Sequence, residues 1–389
     1  MTFSAMKRVN VLFVMPVMPQ MAMGGSERLV HNLVLRLDRG RFNPSVAWLY
    51  GNEALREFQD LQVPLHYVPK TKRVDCSVMQ KLARIIESES IDVVNAQHFM
   101  PAIYAYYGCH VAAKKALVFT AHSRWEIEAT PLKWRVAGGY LLRRIGASVG
   151  VAPDVSSAIQ SIFKTKASQT VTIENGVDID LFAREKDVRG LRSSLGLADG
   201  DIVIGIVANL KKVKNHLFLL QAFAKVAEEY ENVKLLVIGR GFAGESDSTE
   251  SDLRLFVENH RLAERVLFLG YRTDIPELLQ TMDVFCLASL REGLPIGLIE
   301  AMAASLPVVG MNVEGIRDVI TPNEDGILVD LGDVTALKNA LIGLIRDERW
   351  RDKLGRAGHR KAAQKYSLQR CVREYERLFL SLADASENR

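Results

Sequence analysis

Short apolar runs alternate with segments of helical period along this chain. "VNVLFVM" (9–15) precedes "SERLVHNLVLRL" (26–37), where Leu29, Leu33 and Leu37 recur every four residues. "SVAWLY", "LHYVP", "MQKLARIIESES", "IDVVNA", "ALVFTAH" and "ASVGVAP" continue the alternation. Strand, helix, strand in that order predicts a parallel sheet covered by helices on both faces. The pattern restarts at 201 with "DIVIGIVANL", "HLFLLQAFAKVAEEY" and "VKLLVIG". It continues through "DLRLFVENHRL", "RVLFLGY", "IPELLQTM", "DVFCLAS" and "GLIEAMAAS" to "PVVGM". The expected fold is therefore α/β, with two doubly wound Rossmann-like domains. The polar, turn-rich stretch "ENGVDIDLFAREKDVRG" (174–190) marks the join, giving domains 1–180 and 181–366. The amphipathic stretch 367–385 is expected to pack back onto the first domain.

Composition fits this picture and narrows it. A chain of 389 residues exceeds what one core usually organises. A net charge of +4 gives no reason to expect a nucleic-acid partner. Four cysteines, far apart and without a C-x-x-C, read as free thiols of a reducing cytoplasm. The N-terminal "MKRVNVLFVMPVMPQ" has the basic start and apolar run of a signal peptide. Pro16 and Pro19 interrupt that run, and the amphipathic segment beyond makes a coherent strand–loop–helix, so a first strand is expected instead. No run of about 18 uncharged apolar residues occurs to span a bilayer.

Open α/β sheets bind ligands beyond the carboxyl ends of their strands. Two such domains facing one another would form a cleft suited to a nucleotide-containing substrate and a second substrate. Candidate chemistry collects at those strand ends. Gly24 and Gly25 in "GGSERLV" let backbone N–H groups approach an anion at a helix start, although an ordinary turn with Ser26 as N-cap has the same residues. "NLKKVKNH" (209–216) crowds lysines at a strand end. Lys214, beside the helix start at Asn215, is the one expected to point inward and neutralise a diphosphate; the rest suit a solvated charge run. "VIGRGFAG" (237–244) fits G-x-G-x-x-G but leads into the acidic "ESDSTESD", which opposes a dinucleotide pyrophosphate and leaves a glycine loop shaping a pocket. "VDID" (177–180) is a polar turn rather than a metal site. His98 and His122 each follow an apolar strand, where packing and function are equally served.

The segment "REGLPIGLIEAMAASLPVVG" (291–310) is the most specific. Gly293 and Pro295 keep Glu292 in a loop, and a helix starting near Pro295–Gly297 carries Glu300 one turn in. The first amides of that helix, at Gly297 and Leu298, would suit a phosphate. The simpler reading is a solvated Glu292 and a salt-bridged Glu300.

E-G-L-P-x-G-L-x-E-A-M-A resembles the E-x7-E motif of the family-4 retaining glycosyltransferases, which have the GT-B fold. "GGSE", "TAHS", "ENGVD", "NLKKVKNH", "FLGYRTDIPELL", "EGIRDVI" and "DGILV" resemble further motifs of that family, in its order. The resemblance implies a metal-independent, cofactor-free hexosyltransferase whose donor is a nucleotide-diphosphate sugar, UDP by family frequency. Glu292 would hold donor-sugar hydroxyls, Glu300 the ribose, and Lys214 the diphosphate with the amides of Gly25 and Leu298. Arg272 would lie against the base and His122 near the reacting carbon. Asn209 stands where the family often has arginine, which places more neutralisation on Lys214. The implied acceptor is a glycan or lipid-linked molecule of cell-surface polysaccharide or lipopolysaccharide assembly. Competing readings are a non-hydrolysing nucleotide-sugar epimerase of the same fold and an NAD(P)-dependent dehydrogenase. The basic and aromatic segment 123–146 suits either a core-packed helix or peripheral contact with an anionic membrane at its inner face.

Overall fold

The computed structural model describes residues 7–17, 23–51, 56–72, 74–112, 115–183, 187–241 and 249–387. The chain divides into two compact units. One runs up to Gly176 and takes up Leu368 onward, and the other is Val177–Ser367. Two ties close the second unit where the chain enters and leaves it. Val177 N–H donates to the Tyr366 carbonyl at 2.8 Å, and Val177 bridges Ser367.

Among the described residues the first unit has seven parallel strands: β1 Val9–Val17, β2 Phe42–Tyr50, β3 Leu65–Tyr67, β4 Val93–Gln97, β5 Ala116–Ala121, β6 Ala147–Gly150 and β7 Thr170–Thr172. Their order is β3-β2-β1-β4-β5-β6-β7, so the winding reverses between β1 and β4. The first apolar run of the chain is thus a central strand. Val11, Leu12, Phe13 and Val14 are all fully buried, as a strand covered on both faces requires. The C-terminal helix Leu368–Glu387 completes this core with Leu368, Cys371, Val372, Tyr375 and Phe379, at helical spacing. The Phe379 ring meets Phe13 at 6.0 Å and Phe42 at 6.5 Å, edge-on in both cases.

The second unit has six described strands: β8 Ile202–Val207, β9 Val233–Ile238, β10 Val266–Gly270, β11 Val284–Leu287, β12 Val308–Met311 and β13 Ile327–Val329. The order β10-β9-β8-β11-β12-β13 repeats the reversal, now between β8 and β11. Beyond the runs read above, residues past β13 form two further helices, Val334–Arg346 and Glu348–Lys365. The described cysteines are free. Burial pushes the thiols of Cys286 and Cys371 up to about 12, which makes them packing groups.

Candidate functional site

The reversal between β8 and β11 opens the sheet where the two strands' following loops part. Those loops are stitched together, Leu290 N–H donating to the Val213 carbonyl at 2.9 Å. Lys214 ends a short 3-10 turn, Lys212–Lys214, and Asn215 takes a left-handed conformation (φ 53°) before the helix His216–Ala227. That reversal of the backbone carries the Lys214 side chain to the other loop. Its Nζ lies 2.6 Å from Glu292 Oε1, and Ser289 Oγ donates to the same oxygen at 2.6 Å. The Glu292 side chain is 10% exposed and that of Lys214 25%, so the pair is partly screened from water. His216 lies beside the Ala208 backbone. Burial first, and then the Lys214 charge, push it down to about 4, so its ring is neutral at physiological pH.

Two glycines hold neighbouring backbone against these loops. Gly315 (φ 81°) packs on the carbonyls of Glu292 and Gly293, where a Cβ would lie 2.6 and 2.7 Å away. Gly239 (φ 137°), the first glycine of the G-x-G stretch, lies so close to the Ala208 carbonyl that no Cβ fits. Leu210 N–H donates to the Arg240 carbonyl at 3.1 Å, closing the same contact. The glycine here serves close approach of two strand ends. The last part of the fingerprint, 242–244, lies outside the described residues; Gly241 N–H donates to Glu250 Oε2 at 3.0 Å, and the next helix begins at Glu250.

The helix Ile296–Ala303 starts against the end of β8; a Cβ on Gly297 would sit 3.0 Å from the Val207 carbonyl. Leu298 is fully buried and its N–H donates to the Pro295 carbonyl at 3.0 Å, because the first turn is tight. The donors ahead of that bond are the amides of Ile296 and Gly297. Glu300 is one turn in and 5% exposed. Asn209 is exposed, and its carbonyl takes the Lys211 N–H at 2.8 Å. Arg272, just past β10, is gripped in a fork by Asp274, with Nε 2.8 Å from Oδ1, and that hydrogen bond raises its pKa. Its guanidinium is therefore committed, and the backbone is what it can offer a ligand.

In the first unit Gly24 and Gly25 are exposed at the start of the helix Gly25–Arg36. Gly24, rather than Ser26, is the N-cap, and its carbonyl accepts from Arg28 N–H at 3.0 Å. Past β4 and β5, His98 and His122 face each other with ring centroids 4.7 Å apart. His98 has φ 67° and ψ 165°, a region close to glycine-only, which costs on the order of 1–3 kcal/mol. Its N–H donates to the Thr120 carbonyl at 2.9 Å, and its Nδ1 lies 2.8 Å from Glu126 Oε2. Burial opposes charging of His98, but the Glu126 hydrogen bond and charge, with Glu27 beyond, raise its pKa on balance. His122 goes the other way. Burial, then the His98 charge, hold it well below the ordinary value.

A polar relay fixes the His122 ring. Its Nε2 meets Gln97 Oε1 at 2.8 Å, Gln97 Nε2 donates to Asn95 Oδ1, and Asn95 Nδ2 donates to Thr120 Oγ1 at 3.0 Å. With the ring neutral, Nε2 carries the proton and Nδ1 is left as an acceptor. Sequence reasoning missed Asn95, Gln97, Glu126 and Ser289. The first two were legible in principle: fully buried polar residues alternate within the apolar β4. Glu126 and Ser289 carry no such signal, since only folding brings them to His98 and Glu292. Among the described residues no cluster of three or more His, Cys, Asp or Glu side chains could hold a metal ion.

Two parallel sheets, each with reversed winding and polar side chains at its carboxyl end, define an α/β protein of the two-Rossmann-domain class. Residues 23–181 match the family described as Glycosyltransferase Family 4, and residues 187–361 match Glycosyl transferases group 1. The chain belongs to these group 1, family-4 glycosyltransferases and has their GT-B fold. It is 24% identical over 338 residues to the N-acetyl-alpha-D-glucosaminyl L-malate synthase of Bacillus anthracis, covering 85% of each chain. It is 27% identical over 310 residues to the Escherichia coli UDP-Gal:alpha-D-GlcNAc-diphosphoundecaprenol alpha-1,3-galactosyltransferase, covering 76% of this chain and 78% of that one. HepE of Anabaena, crystallised with UDP and glucose, superposes with a TM-score of 0.84 at 20% identity, over 96% of this chain and 100% of HepE. No helix among the described residues is long and apolar enough to cross a membrane.

Proposed function

We propose that this glycosyltransferase moves a hexose-type sugar, with retention, from a UDP-sugar to a glycan or lipid-linked acceptor of cell-surface polysaccharide or lipopolysaccharide assembly. The observation that carries the reading is the Lys214–Glu292–Ser289 cluster at the β8/β11 reversal. A cation and a carboxylate held there suit, respectively, a leaving diphosphate and sugar hydroxyls. The relative that uses UDP-Gal and a diphosphoundecaprenol-linked acceptor, and the neighbour crystallised with UDP and glucose, support the donor and acceptor classes.

On this reading Lys214 shifts from Glu292 toward the diphosphate and stabilises charge as the C1–oxygen bond breaks. The amides of Ile296 and Gly297, rather than that of Leu298, share that charge. Glu292 binds sugar hydroxyls and Glu300 the ribose. Arg272 meets the base through its backbone. Gly24 and Gly25 are assigned backbone contact with phosphate, and Asn209 an uncharged phosphate contact. His122 offers Nδ1 as an acceptor to a sugar hydroxyl. The acceptor oxygen forms its bond to C1 from the face the diphosphate leaves, and its proton passes to a donor phosphate oxygen. The protein supplies the positive field, so the step runs without a metal.

The test is proton NMR of the purified enzyme with UDP-, GDP- and ADP-hexoses, with and without an acceptor. Transfer from the UDP-hexose alone, with the anomeric configuration kept, is the expected result. Conversion of donor into its epimer without acceptor would make the protein an isomerase. Preference for GDP- or ADP-hexose would overturn the donor assignment.

A further inference from the structure

The amino end of the first sheet carries a cavity that the proposed reaction does not use. It measures about 790 Å³, within the size range of small-molecule sites. Its lining comes from the chain just ahead of five strands: Lys7 ahead of β1, Asp92 ahead of β4, Lys115 ahead of β5, Arg143 and Arg144 ahead of β6, and Gln169 ahead of β7. Asp92 and His98 stand at opposite ends of β4, so strand rise alone puts the cavity about 20 Å from the histidines at the carboxyl edge.

Cations outnumber acids there. Among the described lining residues, Lys7, Lys115, Arg143 and Arg144 are set against a single carboxylate, Asp92. Asp92 lies 3.8 Å from Lys7 Nζ and 3.5 Å from Lys115 Nζ, and it also accepts the Asn10 N–H at 3.0 Å. Neither arginine has an acidic partner among the described residues. Arg144 is held instead by Tyr140, its guanidinium 3.5 Å from the ring centroid and its Nη1 donating to that residue's carbonyl at 2.9 Å. Gln169 fixes the backbone beneath the pair, its Nε2 donating to the carbonyls of Arg143 at 3.2 Å and Ile145 at 3.3 Å. Guanidinium forks without carboxylates suit phosphate oxygens.

A second wall is aromatic. The helix Phe99–Tyr107 runs into a short π-helix, Gly108–Ala112, a widening that recurs at functional sites. Gly108 sets it against the helix Cys76–Ser88, where a Cβ would lie 2.9 Å from the Ile86 side chain and 3.2 Å from the Ala83 nitrogen. The wide turn lays the exposed His110 ring on Tyr106, with centroids 4.9 Å apart and planes 17° from parallel. Burial raises the Tyr106 phenol above its ordinary value and the Arg144 charge offsets part of that, which puts the arginine within reach of the ring pair.

We propose that this cavity is a second nucleotide site, apart from the donor site, which takes a nucleoside triphosphate with its phosphates on Arg143, Arg144 and Lys115 and its base against His110. The surplus of cations matches the charge of a triphosphate. The outer face of a stacked imidazole accepts one more flat ring, which a nucleotide has and an inorganic phosphate lacks. The inference goes beyond the transfer reaction and does not depend on it.

The test is calorimetric titration of the full chain with ATP and with inorganic tripolyphosphate. We expect ATP to bind, and tripolyphosphate to bind more weakly by about threefold or more, the worth of one stacked ring. R143Q/R144Q should lower ATP affinity by about tenfold or more, the loss of a charge-assisted pair. H110A should lower it by about threefold. Lys214→Ala, in the donor site, should leave ATP affinity as it is. Arg143, Arg144 and His110 are exposed, so the variants should melt as the wild type does. Photolabelling of the wild-type chain with 8-azido-ATP needs no variant, and it should mark residues 106–115 rather than the peptides holding Lys214 or Glu300. No ATP binding, ATP binding that Lys214→Ala abolishes and R143Q/R144Q keeps, label on the Lys214 or Glu300 peptides alone, or tripolyphosphate as tight as ATP would each overturn the proposal. Hexose transfer separates the two readings. R143Q/R144Q should transfer as the wild type does without ATP, and absence of transfer by the wild type would sink the donor assignment whatever ATP does.

Discussion

Lys214 and Glu292 satisfy each other before any ligand arrives, and that sets what their removal should do. Lys214→Ala takes away the positive charge proposed to meet the leaving diphosphate. We expect a loss of about 3 kcal/mol of transition-state stabilisation, roughly a hundredfold or more in kcat/KM; near-wild-type turnover would sink the assignment. Glu300→Ala should weaken free UDP more than Glu292→Ala does, as read by calorimetry, because one carboxylate is assigned to ribose and the other to the sugar. The histidines make pH predictions of definite sign. His216, down to about 4 in the fold against about 6.5 unfolded, binds its proton more readily in the unfolded chain. Its stabilising effect is complete above pH 6.5 and lost as pH falls toward 4, on the order of 3 kcal/mol. The urea midpoint of the second unit should fall over that window, and His216→Gln should flatten the slope. His98 has the opposite sign. Its folded pKa is raised, so the contribution of its Glu126 pair is present at low pH and lost as pH rises through that pKa. Glu126→Gln should lower the His98 pKa, measured by imidazole NMR titration.

Elements were the best-determined level in the sequence. Parallel strands buried on both faces read as unbroken apolar runs, and β1, β8 and β9 were legible for that reason. Gly293 and Pro295 placed Glu292 in a loop and left Glu300 to the helix Ile296–Ala303. The contacts between elements were not legible, because they depend on which loops the strand order brings together. Gly315 illustrates this. Its sequence neighbours do not reveal that it supports the Glu292 loop from a different strand end. Gly315→Ala has both a left-handed φ and a blocked Cβ. We expect it to lower the stability of the second unit by about 1–3 kcal/mol and to weaken UDP binding, checked by melting and calorimetry.

At the scale of the whole molecule the chain is not two beads in sequence. The second unit is continuous, Val177–Ser367, with its own core, whereas the first takes its last helix from the far end of the chain. Residues 177–367 expressed alone should therefore fold, and residues 1–176 alone should not, by circular dichroism. Phe379→Ala should cost the first unit about 3–5 kcal/mol, because it removes the ring that Phe13 and Phe42 pack against. By itself the sequence determined the fold class, the two sheets, and the loop and helix positions of the two glutamates, since periodicity and chain breakers are local properties. Only the tertiary structure decided that Lys214 and Ser289 share one oxygen of Glu292, that Leu298 spends its amide on Pro295, and that His98 and His122 take opposite proton affinities. Those facts rest on strand order and burial, which set distances between residues far apart in the chain.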